Sequence, residues 1–172
     1  ANVIRQMGDK ITAKDLAEKS NIPIVPGYKG DIPESDDAIK NIATDVGYPL
    51  IIKSSAGGGG RGMRVVKDDS ELISSLQITK QEAKNAFGND TVYFERFIQS
   101  PRHIEVQIVA DGKGNVIHLG TRDCSMQRRH QKIIEEAPAL DINENALKEI
   151  LNACLVLTKD LKYSGVGTIE FL

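Results

Sequence analysis

Four consecutive glycines, Gly57 to Gly60, constrain this chain more than any other stretch. They lie within Ile51-Ile52-Lys53-Ser54-Ser55-Ala56-Gly57-Gly58-Gly59-Gly60-Arg61-Gly62-Met63. A helix or strand interior does not accommodate such a run, because glycine loses the most backbone freedom on ordering. The apolar residues before it lead into Lys53, and Met63-Arg64-Val65-Val66 after it reads as a strand. The run is therefore expected to be a loop joining two strands. Without side chains, its N–H groups can approach an anion closely, and Lys53 adds a point charge at the entry. That chemistry suits a flap over nucleotide phosphates.

Three other glycine-rich devices fit less well. Gly57, Gly59 and Gly62 match G-x-G-x-x-G, but a dinucleotide fold needs that pattern to open a helix. A P-loop places Gly-Lys-Ser/Thr after the glycines, whereas here the lysine comes first. A protein kinase places valine two residues beyond the last glycine, where this chain has Arg64. A bare surface hairpin is the remaining alternative, and it would spend backbone entropy for no structural gain.

Composition narrows the function classes. The 172 residues suffice for one domain or two small ones, and 40% hydrophobic with 27% charged content suits a globular chain. A net charge of −2 provides no global attraction for nucleic acid or anionic membrane, so neither is an expected partner. No apolar run approaches the ~20 residues of a membrane span. Cys124 and Cys154 are too few for a disulfide framework. A reducing compartment is expected, cytoplasmic or, in a eukaryote, the mitochondrial matrix. A first residue that is Ala and a last that is an apolar strand residue suggest a piece of a longer chain.

In chain order, helical spacing covers about Thr12–Lys19, and Asn21 to Gly27 reads as an extended linker. Ser35 is a candidate N-cap for a helix carrying Ala38, Ile39, Ile42, Ala43 and Val46. Asp68 with Glu71 forms a capping-box pattern for a helix toward Phe87, and Val92 to Ile98 reads as a strand. His103, Glu105, Gln107 and Val109 alternate with Ile104, Val106, Ile108 and Ala110. Taken alone, the first set reads as the wet side of a half-buried antiparallel strand. Asp111 to Asn115 is a hairpin turn, and Val116 to Thr121 the return strand. Arg122, Arg128, Arg129, His130 and Lys132 form a basic segment able to neutralise phosphate or a small oxyanion, without the interleaved aromatics of an RNA surface. Asp141 with Glu144 again matches a capping box, opening an amphipathic helix to about Lys162. Gly165 to Leu172 is a last strand, in which Glu170 must be exposed or partnered.

These motifs occur in one order: Met7-Gly8-Asp9-Lys10, Gly57–Met63, Pro101-Arg102-His103-Ile104-Glu105, Arg122–Lys132 and Gly167-Thr168-Ile169-Glu170-Phe171. The order resembles biotin carboxylase, an ATP-grasp enzyme that also occurs within acetyl-CoA, propionyl-CoA, methylcrotonyl-CoA and pyruvate carboxylases. The resemblance covers nearly the whole chain. It implies an α+β ATP-grasp fold with a small α/β lid subdomain and part of a larger antiparallel sheet with helices. Residues 1–24 would be a lead and helix, 25–97 the lid, and 98–172 a truncated portion of the larger sheet.

The resemblance also implies roles. Lys10 and Lys53 would contact ATP phosphates, and Gly59 and Gly60 would centre the covering loop. Glu95, Arg96, Phe97 and Ile98 would form the hinge that holds adenine. His103, Gln127 and His130 would contact the nucleotide, with His103 toward the ribose. Lys132 would bind bicarbonate and, with His130, act in catalysis, while Glu170 would bind Mg²⁺ (or Mn²⁺). ATP would convert bicarbonate to carboxyphosphate, and the carboxyl group would pass to biotin on a carrier domain that serves a carboxyltransferase. The whole enzyme would be a ligase and a homo-oligomer. A second metal-binding glutamate and the bicarbonate- and biotin-binding Arg, Gln and Glu of the family have no counterpart in these 172 residues, so the piece alone is expected not to turn over. The competing readings are another carboxylate-activating ATP-grasp ligase, such as carbamoyl-phosphate synthetase, and a non-catalytic nucleotide-binding module.

Overall fold

Leu50-Ile51-Ile52-Lys53-Ser54 is rich in β-branched residues and forms a strand whose first three residues are buried. In this computed structural model, which describes Val3 and residues 7–8, 10–56 and 62–172, the elements run as follows. Helix α1 spans Lys10–Lys19, β1 Gly27–Tyr28, α2 Asp36–Val46, β2 Leu50–Ser54, β3 Met63–Val66, α3 Asp69–Phe87 and β4 Val92–Arg96. Then follow β5 Ile104–Asp111, β6 Val116–Asp123, β7 Gln127–Arg128, β8 Gln131–Lys132, α4 Glu144–Asp160 and β9 Ser164–Phe171. The expected loop glycines Gly59 and Gly60 lie outside the described residues. No helix among the described residues is long and apolar enough to cross a membrane.

The chain divides into two compact units. One contains Gly8–Ile11 and Val25–Gln99. Its sheet has the order β1-β4-β2-β3, with every pairing antiparallel. Helices α2 and α3 cover it through Ile39, Ala43, Val46, Leu72 and Leu76, which meet Leu50, Ile52, Val66, Val92 and Phe94. The stretch expected to be an extended linker contributes the edge strand β1, because Gly27 lies opposite Glu95. A Cβ on Gly27 would collide with the Phe94 carbonyl oxygen, so this close approach requires glycine.

The second unit contains Thr12–Ile24 and Ser100–Leu172. Its antiparallel sheet has the order β6-β5-β9. Val106 and Ile108 on β5 pack with Cys154, Ile150 and Leu151 of α4 and with Ile169 and Phe171 of β9. Alternation then turns Glu105, Gln107 and Val109 to the opposite face. A bulge between Val106 and Ile108 shifts the β5–β6 register. Strands β7 and β8 form a short separate hairpin.

Local signals succeeded unevenly. Asp68 caps α3 by accepting from the Ser70 amide at 2.9 Å, while Glu71 reaches back to the Lys67 amide rather than to Asp68. Asp141 does not cap α4. Asn143 does, accepting from the amides of Asn145 and Ala146, and Asp141 adopts φ 53° before it. Ser35 precedes α2 in extended conformation without a side-chain cap bond.

Phe94 is completely buried between the sheet and its helices. Phe94→Ala is expected to destabilise its unit by about 3–5 kcal/mol, and a loss under about 1 kcal/mol in denaturant unfolding would contradict this packing.

Candidate active site

Strands β5, β6 and β9 place three charged residues in one cross-strand row. Glu105 lies opposite Arg122 on one side and opposite Glu170 on the other. Two carboxylates directly opposite each other repel, and Glu105 is only 2% exposed, so its charge requires partners. Lys132, delivered by the β7–β8 hairpin, donates to both Glu105 and Glu170, at 2.8 Å for the latter. Arg122 donates through Nε to Glu105 at 2.5 Å and through its terminal nitrogen to Gln107 at 2.9 Å. The expected wet face of β5 thus holds a buried ionic network, and the Arg122 guanidinium is committed to it.

These contacts determine protonation. Burial opposes the charge on Glu105, but hydrogen bonds and charge from Lys132 and Arg122 outweigh it, and its carboxyl titrates below the ordinary value of 4.5. Burial likewise works against the charge on Lys132. Glu105 and Glu170 outweigh it and hold the ammonium charged beyond the usual lysine range. Cys124 is fully buried close by, and burial followed by the Glu105 charge pushes its thiol up. A thiol held protonated is a poor nucleophile.

His103 borders the same cluster. Its Nε2 lies 3.5 Å from Glu170. The Gln127 amide nitrogen donates to the Cys124 carbonyl at 2.9 Å and sits 3.0 Å from His103 Nδ1. His103, Glu105 and Glu170 bring three possible metal ligands within 4.8 Å of one another. His130 occupies the exposed turn between β7 and β8, where it and Arg129 adopt φ 63° and 52°. Left-handed conformation is uncommon for such residues and costs of order 1 kcal/mol each.

The other unit holds a second group of expected site residues. Lys53 at the end of β2 and Glu95 on β4 form an ion pair at 2.5 Å, with side chains 18% and 6% exposed. Arg96 points away from that pair. Its guanidinium donates twice to the Val46 carbonyl at the C-terminus of α2, where a cation complements the helix dipole. Phe97 and Ile98 follow β4, which ends at Arg96 rather than at Ile98, and the Phe97 amide donates to the Pro49 carbonyl. Lys10 begins α1 and is half-buried.

The structure therefore gathers His103, Gln127, Lys132 and Glu170 in one unit and Lys53 with Glu95 in the other. Sequence reasoning gave Glu105 no site role and treated Arg122 as a free cation. The available signal was a glutamate on the same strand face as His103, with arginine on the return strand.

The residues 9–172 match the family model described as carbamoyl-phosphate synthase L chain, ATP binding domain. The chain is 56% identical over 172 residues to a biotin carboxylase of Pseudomonas aeruginosa, covering all of this chain and 38% of that protein. Among solved structures it is similar to a biotin carboxylase–β,γ-ATP complex from Campylobacter jejuni, at TM-score 0.92 and 46% identity over 98% of this chain and 38% of that one. The biotin carboxylase domain of 2-oxoglutarate carboxylase from Hydrogenobacter thermophilus, in complex with MgADP, ADP and bicarbonate, gives TM-score 0.92 at 40% identity over 99% of this chain and 37% of that one. The fold is ATP-grasp, of α+β class.

Glu105 carries the charge balance of the network. Its contribution to stability is complete above about pH 4.5 and is lost as pH falls through its depressed native value. Glu105→Gln is expected to lower stability by about 1–3 kcal/mol at neutral pH and to flatten the acid limb of the stability profile. Urea unfolding between pH 3 and 7 checks both, and an unchanged acid limb would contradict the assignment.

Proposed function

From its membership of the carbamoyl-phosphate synthase L chain, ATP binding domain family, we propose that this chain is the ATP-binding part of a biotin carboxylase, an ATP-dependent ligase that carboxylates biotin with bicarbonate. The chain spans 38% of the length of the Pseudomonas aeruginosa relative, so turnover is assigned to the whole enzyme rather than to these residues alone. The observation that carries the reading is the Lys132 ammonium, held charged between Glu105 and Glu170. A fixed cation of this kind suits a small oxyanion such as bicarbonate, because its orientation is settled before the substrate arrives.

The remaining roles follow as part of the same reading. Lys10 and Lys53 neutralise ATP phosphates, with Gly59 and Gly60 in the covering loop. Glu95 and the backbone of Arg96, Phe97 and Ile98 hold adenine. His103, Gln127 and His130 contact the nucleotide, and His130 with Lys132 serves the reacting groups. Residues 25–97 correspond in this reading to the lid subdomain and 98–172 to a truncated portion of the larger sheet. Closure over the phosphates would exclude water from phosphoryl transfer.

The donor set suits a hard cation. Glu170 offers carboxylate oxygens, and 51% of its side chain is exposed. Glu170 would hold Mg²⁺ or Mn²⁺, with His103 and Glu105 close by, and the ion would supply charge neutralisation at the phosphate oxygens. The further partners in this reading are a biotinylated carrier domain, a carboxyltransferase domain or subunit and a second copy of the enzyme. The compartment is the cytoplasm or a mitochondrial matrix, consistent with two buried free cysteines among the described residues.

The test uses the full-length enzyme, following biotin- and bicarbonate-dependent ADP release. Lys132→Met is expected to lower kcat by about 100- to 1,000-fold, the usual cost of removing one preorganised electrostatic partner. Unchanged turnover would remove Lys132 from the site. ADP release that requires ammonia and ignores biotin would assign the chain to a carbamoyl-phosphate synthetase instead.

A further inference from the structure

Arg102 has no role in the proposed function, yet its guanidinium makes four hydrogen bonds among the described residues. It donates through Nε and a terminal nitrogen to Asp123 Oδ2 at 3.1 and 2.8 Å. It also donates to the carbonyls of Leu140 at 2.6 Å and Asp141 at 3.2 Å. Asp123 ends β6, where the chain leaves the sheet for the segment bearing Gln127, His130 and Lys132. The backbone of Asp123 pairs with that of Glu136, where the excursion returns. Arg102 therefore ties the start of the loop that carries Gln127, His130 and Lys132 to Leu140 and Asp141, just beyond its return.

The other oxygen of Asp123 continues the connection. Asp123 Oδ1 accepts from the Ser125 amide at 2.9 Å and the Ser125 hydroxyl at 2.5 Å. The same hydroxyl accepts from the His103 amide at 2.9 Å. The Cys124 amide donates to the His103 carbonyl at 2.7 Å, so both backbone polar groups of His103 are fixed by this loop. Hydrogen bonds from Ser125, then Arg102, lower the Asp123 carboxyl to about 2.

We propose that Arg102, Asp123 and Ser125 form a positioning relay that sets the His103 imidazole in the nucleotide subsite. None of the three touches the reacting atoms. They act through His103, whose Nδ1 is already engaged by Gln127 and whose Nε2 faces Glu170. Ser125 is the point at which to cut the relay, because its side chain is small and exposed and its loss opens no cavity. The inference rests on the nucleotide role assigned to His103.

The experiment measures MgATP affinity by calorimetry, together with kinetics and thermal midpoints, on the full-length enzyme. Ser125→Ala is expected to weaken MgATP binding about fivefold, the worth of one hydrogen bond of about 1 kcal/mol. KM for ATP should rise with it, while kcat stays within about twofold and the thermal midpoint within about 2 °C. Ser125→Thr, which keeps the hydroxyl, should restore affinity. Arg102→Met should weaken binding in the same direction, with an effect that does not add to that of Ser125→Ala. Wild-type affinity in Ser125→Ala, failure of Thr to restore it, or fully additive effects would each overturn the relay. Intact MgATP binding without biotin-dependent turnover in the wild type would instead overturn the proposed function and leave the relay standing.

Discussion

Two glutamates in register on neighbouring strands present the central electrostatic problem of this structure. Glu105 and Glu170 lie opposite each other, and Glu105 is buried. Left alone, they would repel across a pair of strands that must remain paired for Val106, Ile108 and Ile169 to cover α4. Lys132 resolves the conflict from outside the sheet, and Arg122 resolves it from within. The β7–β8 hairpin is therefore more than a connection. Its last residue completes the charge balance of a sheet to which it does not belong.

The other unit uses the same device on a smaller scale. Lys53 is held by Glu95 across adjacent strands β2 and β4, in surroundings that leave the glutamate almost fully buried. Two of the three lysines proposed for anionic ligands, Lys53 and Lys132, are thus seated on carboxylates. Burying such a pair is costly, and its value for stability alone is small or negative. For an anion site its value is different: a lysine fixed by its neighbour does not have to be ordered when an anion arrives. The positive-φ turn at Arg129 and His130 fits the same pattern, local strain maintained where side chains must be aimed.

Much of this was legible from the chain. The strands on either side of the glycine run, the helical periodicities of α2, α3 and α4 and the alternation in β5 are local signals, and these elements formed within a few residues of where their patterns placed them. Lys53, His103, Gln127, Lys132 and Glu170 were singled out in the sequence because they lie in motifs whose order is itself informative. Glu105 was not. Its position in an alternating strand gives the same pattern whether the face is wet or ionic, and only the strands on either side distinguish the two. The cap of α4 failed for a related reason: Asp141 and Asn143 are equally good caps by type, and the carbonyl of Asp141 is taken up by Arg102.

The sequence by itself determined the elements, their approximate limits and the families of chemistry open to the chain, because periodicity, capping and glycine content act within a few residues. The tertiary structure decided which charges meet. Arg122, Glu105, Lys132 and Glu170 are up to 65 positions apart in the chain and converge only through antiparallel register, a bulge and a hairpin. At Glu105 and Lys132 the partners so gathered outweigh burial and favour the charged forms, and those partners come from neighbouring strands rather than from what precedes and follows in the chain.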